Sequence, residues 1–255
     1  MTTRLYFHVD LSAEGGTLPT TEQSTKTSTA DFDSQATSRR MDTTLGSNQT
    51  SLTLVRAVND QSDHNYYVSR WISPELDQTS IAANTWTLNF AIQCTNVTAG
   101  VGALTYPAND TNDRIPITCY VWRPSTGTKV GNIFDGQSAN VYYDVGSDTN
   151  QTPTTAESAE HGTFTGSAVA SVQTGDVIIL EAWVTLNTTS TTSVTFSWYY
   201  DGTTVTTTQG PTVSDQASFL ETPENLTFNI TGNTFPLYRS FSPSGFMPQV
   251  ASRTF

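Results

Sequence analysis

Alternation of apolar and polar residues along short segments constrains the fold of this chain more than any other feature. In "TWTLNFAIQC", one side of the pattern holds Trp86, Leu88, Phe90, Ile92 and Cys94, and the other holds Thr, Asn and Gln residues. Successive side chains of a β-strand point to opposite faces, so this alternation is typical of a strand with one buried face. The segment is therefore predicted to be a long, half-buried strand.

Three further segments show the same two-residue period: "IPITCYVW", "DVIILEAWVTL" and "SVTFSWYY". The last two are separated by a polar, Thr-rich turn and predict a strand pair with Trp183 opposite Tyr199. Turn-forming Gly, Asn, Asp and Pro residues separate the segments, and no helical period lies between them. We predict an all-β fold, an antiparallel, jelly-roll-like β-sandwich with extended terminal arms. Further strand candidates are residues 52–58, 66–72, 140–144, 162–170 and 225–230.

Low charge agrees with a sheet protein and argues against two kinds of partner. Only 13% of the residues are charged, against about 25% in typical domains. Thr, Val, Tyr and Trp, which favour strands, are abundant. The net charge of −12 argues against a nucleic-acid surface, which needs clustered Lys and Arg, and against adsorption to anionic membranes. We predict neither nucleic acid nor membrane as a partner.

The amino-terminal residues "MTTRLYFHVDLSAEGG" lack the apolar core of a signal peptide. No apolar run approaches the roughly 20 residues of a membrane-spanning helix. We therefore expect the protein to be synthesised in a cytoplasm without a cleaved secretion signal.

Composition divides the chain into a central domain and two terminal segments. Residues 1–50 combine a short strand signal, "RLYFHV", with a polar arm that has few apolar side chains to bury. Residues 51–232 carry the strand pattern of the predicted sandwich domain. Residues 233–255 are a Pro-broken arm, predicted to dock either on the chain's own domain or on a neighbouring subunit. Its predicted interface residues are Phe235, Leu237, Tyr238, Phe241, Phe246 and Phe255.

The two cysteines, Cys94 and Cys119, fall on the apolar side of their strands. Two buried thiols explain this placement, because free cysteine behaves as a small hydrophobe. A disulfide is the alternative, and it requires neighbouring strands with close Cβ atoms.

No segment carries a catalytic or zinc-binding motif. His8, His64 and His161 lie far apart without metal-ligand spacing, and no serine sits in a G-x-S-x-G elbow. "SPELDQTS" places Glu75 and Asp77 as in the E-x-D-x-x-E signature of a glucanase family. Ser80 stands where the second carboxylate belongs, so hydrolysis by two carboxylates is not supported. We predict a protein that is not an enzyme and uses no cofactor.

Two loops rich in Asn and Asp, residues 109–113 and 144–150, offer the oxygen ligands that calcium takes. Neither matches a calcium-loop pattern, and such residues are common in turns for backbone reasons. Our prediction assigns no metal site, with calcium binding as the alternative at these loops.

Four aromatic residues fall on strand faces opposite the more apolar side. If this face is open, rings on it could stack on a sugar, with a carboxylate nearby to bind hydroxyl groups. If it is covered, the same rings supply buried area instead, as aromatic residues do at interfaces. The residues of this candidate ligand face are Trp183, Tyr199, Glu181, Tyr120 and Trp122.

The order of several motifs resembles tailed-phage and prophage virion-associated proteins. The matching segments are "MTTRLYFHVD", "SRRMDTTLGSNQTSLTLVRA", "SRWISPELDQTSI", "TGDVIILEAWV", "FSWYYDG" and "DQASFLETPENLTF". Each motif is weak alone, and the ordered set spans most of residues 1–230. The loop at 101–113 and the segment after residue 230 look longer here than in that group.

The resemblance implies a non-enzymatic β-sandwich protein that decorates or stabilises a capsid or a head- or tail-attached appendage. Its implied partners are copies of itself and a major capsid or tail protein. Its implied location is the virion, after synthesis in the host cytoplasm. The alternative function is recognition of a cell-surface glycan by a fibre or spike module.

Overall fold

The described part of the chain consists of β-strands joined by turns. The computed structural model describes residues 2–11, 30–31, 38–56, 64–95, 114–134, 142–144, 158–186, 194–207, 210–211 and 215–229. These residues include no helix, and so none long and apolar enough to cross a membrane. The strands are β1 (Arg4–Leu11), β2 (Ala30–Asp31), β3 (Ser38–Asp42), β4 (Thr50–Arg56), β5 (His64–Ile72), β6 (Asn84–Thr95), β7 (Arg114–Arg123), β8 (Thr128–Phe134), β9 (Tyr142–Asp144), β10 (Ser158–Gly166), β11 (Val177–Leu186), β12 (Val194–Tyr200), β13 (Gly210–Pro211) and β14 (Phe219–Glu221).

Hydrogen bonds link the strands into one mostly antiparallel network. The order of neighbours is β13-β10-β6-β14-β1-β3-β5-β11-β7-β8, and β12 pairs with both β6 and β4. Two short strands, β2 and β3, run parallel to β5. The predicted all-β, antiparallel class is confirmed.

The network folds over on itself into two packed layers. Trp71 of β5 lies 5.5 Å from Trp198 of β12, measured between ring centroids, although β5 and β12 are far apart in the strand order. At the other end of the interior, Phe134 of β8 stacks on Phe164 of β10 at 5.0 Å. One layer therefore contains β5, β11, β7 and β8, and the other contains β10, β6, β12 and β4. The pair β7–β11 is nested in sequence within β6–β12 in the opposite layer, as in jelly rolls.

The apolar sides predicted from alternation form the main core between the layers. Leu88 and Phe90 of β6, Leu180 of β11 and Phe196 of β12 are all buried there. Burying side chains of this size removes the apolar area that dominates folding free energy. Alternation thus identified the inward face of each long strand correctly.

The predicted pairing of the two segments around residue 190 is wrong. Strand β11 pairs with β5 and β7, whereas β12 pairs with β4 and β6. Strands β11 and β12, which flank the Thr-rich segment outside the described residues, therefore lie in different layers. Period-two alternation reports which face is buried and does not identify the partner strand, so a hairpin and a crossover give the same pattern.

Several predicted strand boundaries also differ from the structure. The region 162–170 is shifted, because β10 ends at Gly166 and Val169 makes an isolated bridge to Ile81. The region 225–230 has one bridge, Phe228 to Leu76, and the strand near it is β14. Strands β3 and β8 are additional, and both fall in stretches interpreted from sequence as polar connections. Their sequences, "SRRMD" and "TKVGNIF", alternate too weakly to indicate strands.

Cys119 is not part of a disulfide, so the bridge to Cys94 is not formed. Cys119 is free and fully buried, and burial raises the pKa of its thiol well above the ordinary value. A buried thiol of this kind is chemically inert, as the simpler interpretation of the sequence predicts.

We expect Trp198→Ala to lower the free energy of unfolding by about 3–5 kcal/mol, because it leaves a large cavity between the layers. Leu45→Ala is the control, since Leu45 is one of the exposed large hydrophobic residues and its truncation should change stability by less than about 0.5 kcal/mol. Urea denaturation followed by tryptophan fluorescence and circular dichroism measures both. Equal losses in the two variants would contradict the two-layer core.

Candidate functional site

The candidate ligand face is closed at four of its five residues. We name as the β11 face the side of β5, β11 and β7 that points away from the main core. On it, Glu181, Trp183 and Tyr120 have no exposed surface, and Trp122 is 7% exposed. A ring must be exposed to stack on a sugar, so these residues do not form an open platform. Of the two alternatives that the sequence left open, these four residues have the covered one.

A hydrogen-bonded charge pair lies at the centre of the β11 face. Arg70 of β5 donates from Nη2 and Nε to Glu181 Oε1 at 2.8 and 3.1 Å, and the Tyr120 hydroxyl donates to the same oxygen at 2.9 Å. The residues come from three adjacent strands, with Arg70 directly opposite Glu181. Three donors on one oxygen stabilise the ionised carboxylate, as charge-assisted hydrogen bonds do.

The surroundings keep Arg70 charged. Burial by itself lowers its pKa, but the neighbouring Tyr67, Glu181 and Tyr120 groups outweigh this effect and hold the pKa above its usual value. Burial also raises the pKa of the Tyr67 hydroxyl. Arg70 is therefore a guanidinium at physiological pH, and its hydrogen bonds to the Glu181 carboxylate link β5 to β11.

Apolar contacts complete the β11 face. The Tyr67 ring meets the Trp183 indole edge-on, with centroids 4.9 Å apart. A second apolar cluster consists of Ile72, Tyr120, Trp122, Val177 and Ile179. Both faces of β11 are therefore buried. The uninterrupted apolar run "VIIL" at the start of β11 is typical of such a strand.

Tyr199 lies in the other layer and does not join this group. It is half-buried on β12, where its hydroxyl donates to Gln93 Oε1 of β6 at 2.5 Å. The five candidate residues are therefore split between the two layers. The hairpin prediction had placed Tyr199 beside Trp183.

Other sequence candidates have structural contacts or lie outside the described residues. Asp77 Oδ1 accepts a hydrogen bond from the Thr174 hydroxyl, and the Glu75 carbonyl accepts one from the Asn229 amide. The loop 109–113 lies outside the described residues, as does 144–150 apart from Asp144. All six predicted interface residues of the arm 233–255 also lie outside them.

A buried histidine between two carboxylates is the site that the sequence did not reveal. His8 of β1 places Nδ1 3.0 Å from Asp201 Oδ1 and Nε2 3.0 Å from Asp42 Oδ1. Asp201 follows β12 with a φ of 64°, and its backbone carbonyl lies so close to Gly46 that a Cβ there would clash. We name His8, Asp42 and Asp201 the histidine node.

The node joins three segments that are remote in sequence. His8 is 34 residues from Asp42 and 193 residues from Asp201. No spacing rule connects such positions, although the "DG" pair at 201–202 indicates a turn that requires a left-handed residue. The two carboxylates bind opposite edges of the ring and do not converge on one point. Accordingly, no group of three or more His, Cys, Asp or Glu in the described part of the chain could hold a metal ion.

Comparisons with known proteins assign no family. No protein-family model matches the chain. No curated protein matches it either. Among solved structures, a chain in the structure of infectious bursal disease virus, Gx strain, aligns with 72% of this chain at 13% identity and a TM-score of 0.26. The aligned part spans 38% of that viral chain. A TM-score of this size does not establish a shared fold or a shared function.

We expect Glu181→Gln to lower the free energy of unfolding by about 3–5 kcal/mol, because it leaves the buried Arg70 guanidinium without its counter-charge. Urea denaturation near neutral pH measures the loss. The double variant Arg70→Met, Glu181→Leu should recover much of it, since an apolar pair of similar volume removes both buried charges together.

Glu221→Gln is the matched control for this prediction. Glu221 pairs with Arg4 at 2.6 Å across β1 and β14, where both side chains are partly exposed and an ion pair is worth less than about 1 kcal/mol. If Glu181→Gln were no more destabilising than Glu221→Gln, the β11 face would be open to water in solution.

Proposed function

We propose that the protein is a non-enzymatic structural component of a tailed-virus particle, decorating or stabilising the capsid or a head- or tail-attached appendage. One observation supports this most directly. The motif residues through which the chain resembles tailed-virus virion proteins make contacts that hold its two layers and its turns together. The motifs common to this chain and those proteins would then serve to maintain the fold.

The motifs "SRWISPEL" and "TGDVII" interlock through backbone and side-chain hydrogen bonds. Ser73 N donates to the Ile178 carbonyl at 3.0 Å, and Ile178 N donates to Ser73 Oγ at 2.9 Å. Leu76 N donates to the Asp176 carbonyl at 2.7 Å, and Gly175 N donates to the Leu76 carbonyl at 3.0 Å. Gly175 has a φ of 92°, a conformation that glycine adopts without strain. The Gly and the Ser-Pro of these motifs thus have structural roles.

Asp176 of the same motif anchors the neighbouring hairpin. The Arg123 guanidinium at the end of β7 forms a bidentate pair with it, each N–O distance being 2.8 Å. Asp176 also accepts the Gln173 amide at 2.8 Å and so closes its own turn. A buried carboxylate used in this way stabilises a turn.

A second set of contacts joins the motifs "RLYFHVD", "SRRMD" and "FSWYYDG". Trp71 of "SRWISPEL" contributes a ring to it. Phe7 stacks on Trp71 at 4.6 Å, and His8 bonds Asp42 and Asp201. The first, second, third and fifth segments of the resemblance therefore pack together. Their spatial contact gives the ordered set of motifs a physical basis that no single motif has.

The position of residue 229 supports an arm beyond it. Asn229 N donates to the Glu75 carbonyl at 2.8 Å, and Phe228 bridges Leu76. These contacts hold the last described residues, 228 and 229, against the segment that follows β5. We propose that the arm contacts neighbouring copies or the major capsid or tail protein.

The carbohydrate alternative gains no support from the geometry, because Trp183, Tyr120 and Glu181 are buried.

The proposed location is the virion, and the proposed partners include neither nucleic acid nor membrane. The net charge of −12 agrees with both exclusions.

Deletion of residues 233–255 tests the proposal. We expect the truncated protein to unfold at the same urea concentration as the full chain and to be missing from purified particles, as quantified by mass spectrometry. The reason is that the arm supplies the intersubunit contacts while the sandwich supplies the fold.

Two variants of full length test whether the side chains of the arm, and not only its presence, are needed for incorporation into particles. Replacing the six interface residues of the arm by serine should reproduce the deletion, whereas replacing Thr234, Gln249 and Thr254 by serine should not. If the variant with six serine replacements occupied particles as fully as the wild type, the proposed contacts of the arm would be contradicted. Absence of even the wild-type protein from particles would contradict the virion role itself.

A further inference from the structure

The number of hydrogen bonds that His8 can donate within the histidine node depends on whether its ring is protonated. An ionised carboxylate can only accept hydrogen bonds, and a neutral imidazole has one N–H donor and one lone pair. Both ring nitrogens of His8 lie 3.0 Å from carboxylate oxygens. Only the imidazolium can donate to both. After loss of the proton, one ring nitrogen carries a lone pair that faces the lone pairs of a carboxylate oxygen. That contact is then repulsive and no longer a hydrogen bond.

The two carboxylates are held in place independently of His8. Asp42 Oδ1 also accepts the Thr44 amide at 2.7 Å, and Asp201 Oδ2 accepts the Val9 amide at 3.3 Å. These bonds keep both acceptors aimed at the ring. The ring is 5% exposed, so water cannot readily replace a lost hydrogen bond.

The charged groups around the ring come from every segment packed against it. Strand β3 contributes Arg40, whose Nη1 lies 3.4 Å from Asp42 Oδ2, and Arg39, which donates to the Val9 carbonyl at 2.8 Å. The turn after β12 contributes Asp201. The segment 43–49 has no ionisable side chain, and Asp215 accepts its Gln49 amide at 3.0 Å. Among the charged groups acting on His8, Arg40 opposes a positive charge on the ring, whereas Asp42 and Asp201 favour it.

We propose that the histidine node is a proton-dependent clamp, in which protonated His8 holds β1 both to the end of β3 and to the turn after β12, and in which loss of that proton loosens the three segments from one another. The clamp is independent of the proposed virion role, because it follows from the donor count at the ring.

The pKa directions agree with this arrangement. Burial by itself lowers the pKa of His8, but the hydrogen bonds to Asp42 and Asp201 and the charge of Asp42 outweigh burial and raise the pKa above its ordinary value. For Asp42, burial raises the pKa, and the bonds from His8 and Thr44 outweigh it and lower the pKa.

The sign of the pH dependence follows from linkage. A raised histidine pKa contributes stability that is complete below the unfolded value of 6.5 and is lost as pH rises through the folded value. A lowered aspartate pKa contributes stability that is complete above 3.8 and is lost as pH falls through the folded value. The clamp is therefore strongest between those two unfolded values and weakens towards alkaline pH.

Two measurements on the full chain test the clamp. The imidazole resonances of wild-type protein, with His8 assigned by comparison with His8→Gln, should titrate with a His8 pKa above about 6.5. The folding equilibrium constant from urea denaturation should fall between about pH 6 and about pH 9 by roughly tenfold for each unit by which that pKa is raised. Amide-exchange protection of Val9 and Thr44 should fall over the same range.

His8→Gln and His161→Gln form the matched pair of variants. Glutamine does not titrate, so His8→Gln should lose the component of the pH profile that His8 provides. His161, which bonds Asn89 at 2.8 Å and takes no part in the node, should be replaceable without changing the profile. The same pH profile in wild type and His8→Gln would overturn the clamp. If His8→Gln does not fold, a wild-type His8 pKa at or below about 6.5 would overturn it.

Discussion

The run of stacked rings through the interior is the contact on which the rest of the structure depends. Phe7 stacks on Trp71 at 4.6 Å, Trp71 meets Trp198 at 5.5 Å, and Trp198 stacks on Phe90 at 4.6 Å. These rings belong to β1, β5, β12 and β6, so they join the two layers directly. They also position His8, because it is the next residue after Phe7 in the chain. The histidine node lies where it does because the rings fix β1 and β12.

The β11 face shows how a chain with few charges uses some of them inside the fold. Breaking a buried ion pair by removing one partner is costly, whereas the intact pair adds little net stability over an apolar pair. The value of Arg70 and Glu181 is therefore in fixing register, since the pair is satisfied only when β5 and β11 are aligned as observed. Tyr120 extends the same constraint to β7. A polar network of this kind disfavours a shift by one residue, which would turn each charge towards the main core.

Much of the sheet was predictable from sequence, and the candidate site was not. The long strands β6, β7, β11 and β12 follow from alternation, because burial of one face imposes a two-residue period that is legible locally. Strands β3 and β8 were missed because their neighbours, and not their own residues, hold them in the sheet. The sequence also left open whether the β11 face is covered, because that depends on other segments. The histidine node combines positions up to 193 residues apart, and only the folded chain brings them together.

The sequence by itself determined the all-β class and the inward face of each long strand. These properties follow from side-chain chemistry within a few neighbouring residues. The tertiary structure alone decided which strands pair, that β11 is buried on both faces and that His8 lies between two carboxylates. Each of these depends on contacts between remote segments, whose free energy appears only after the chain has closed the loops between them.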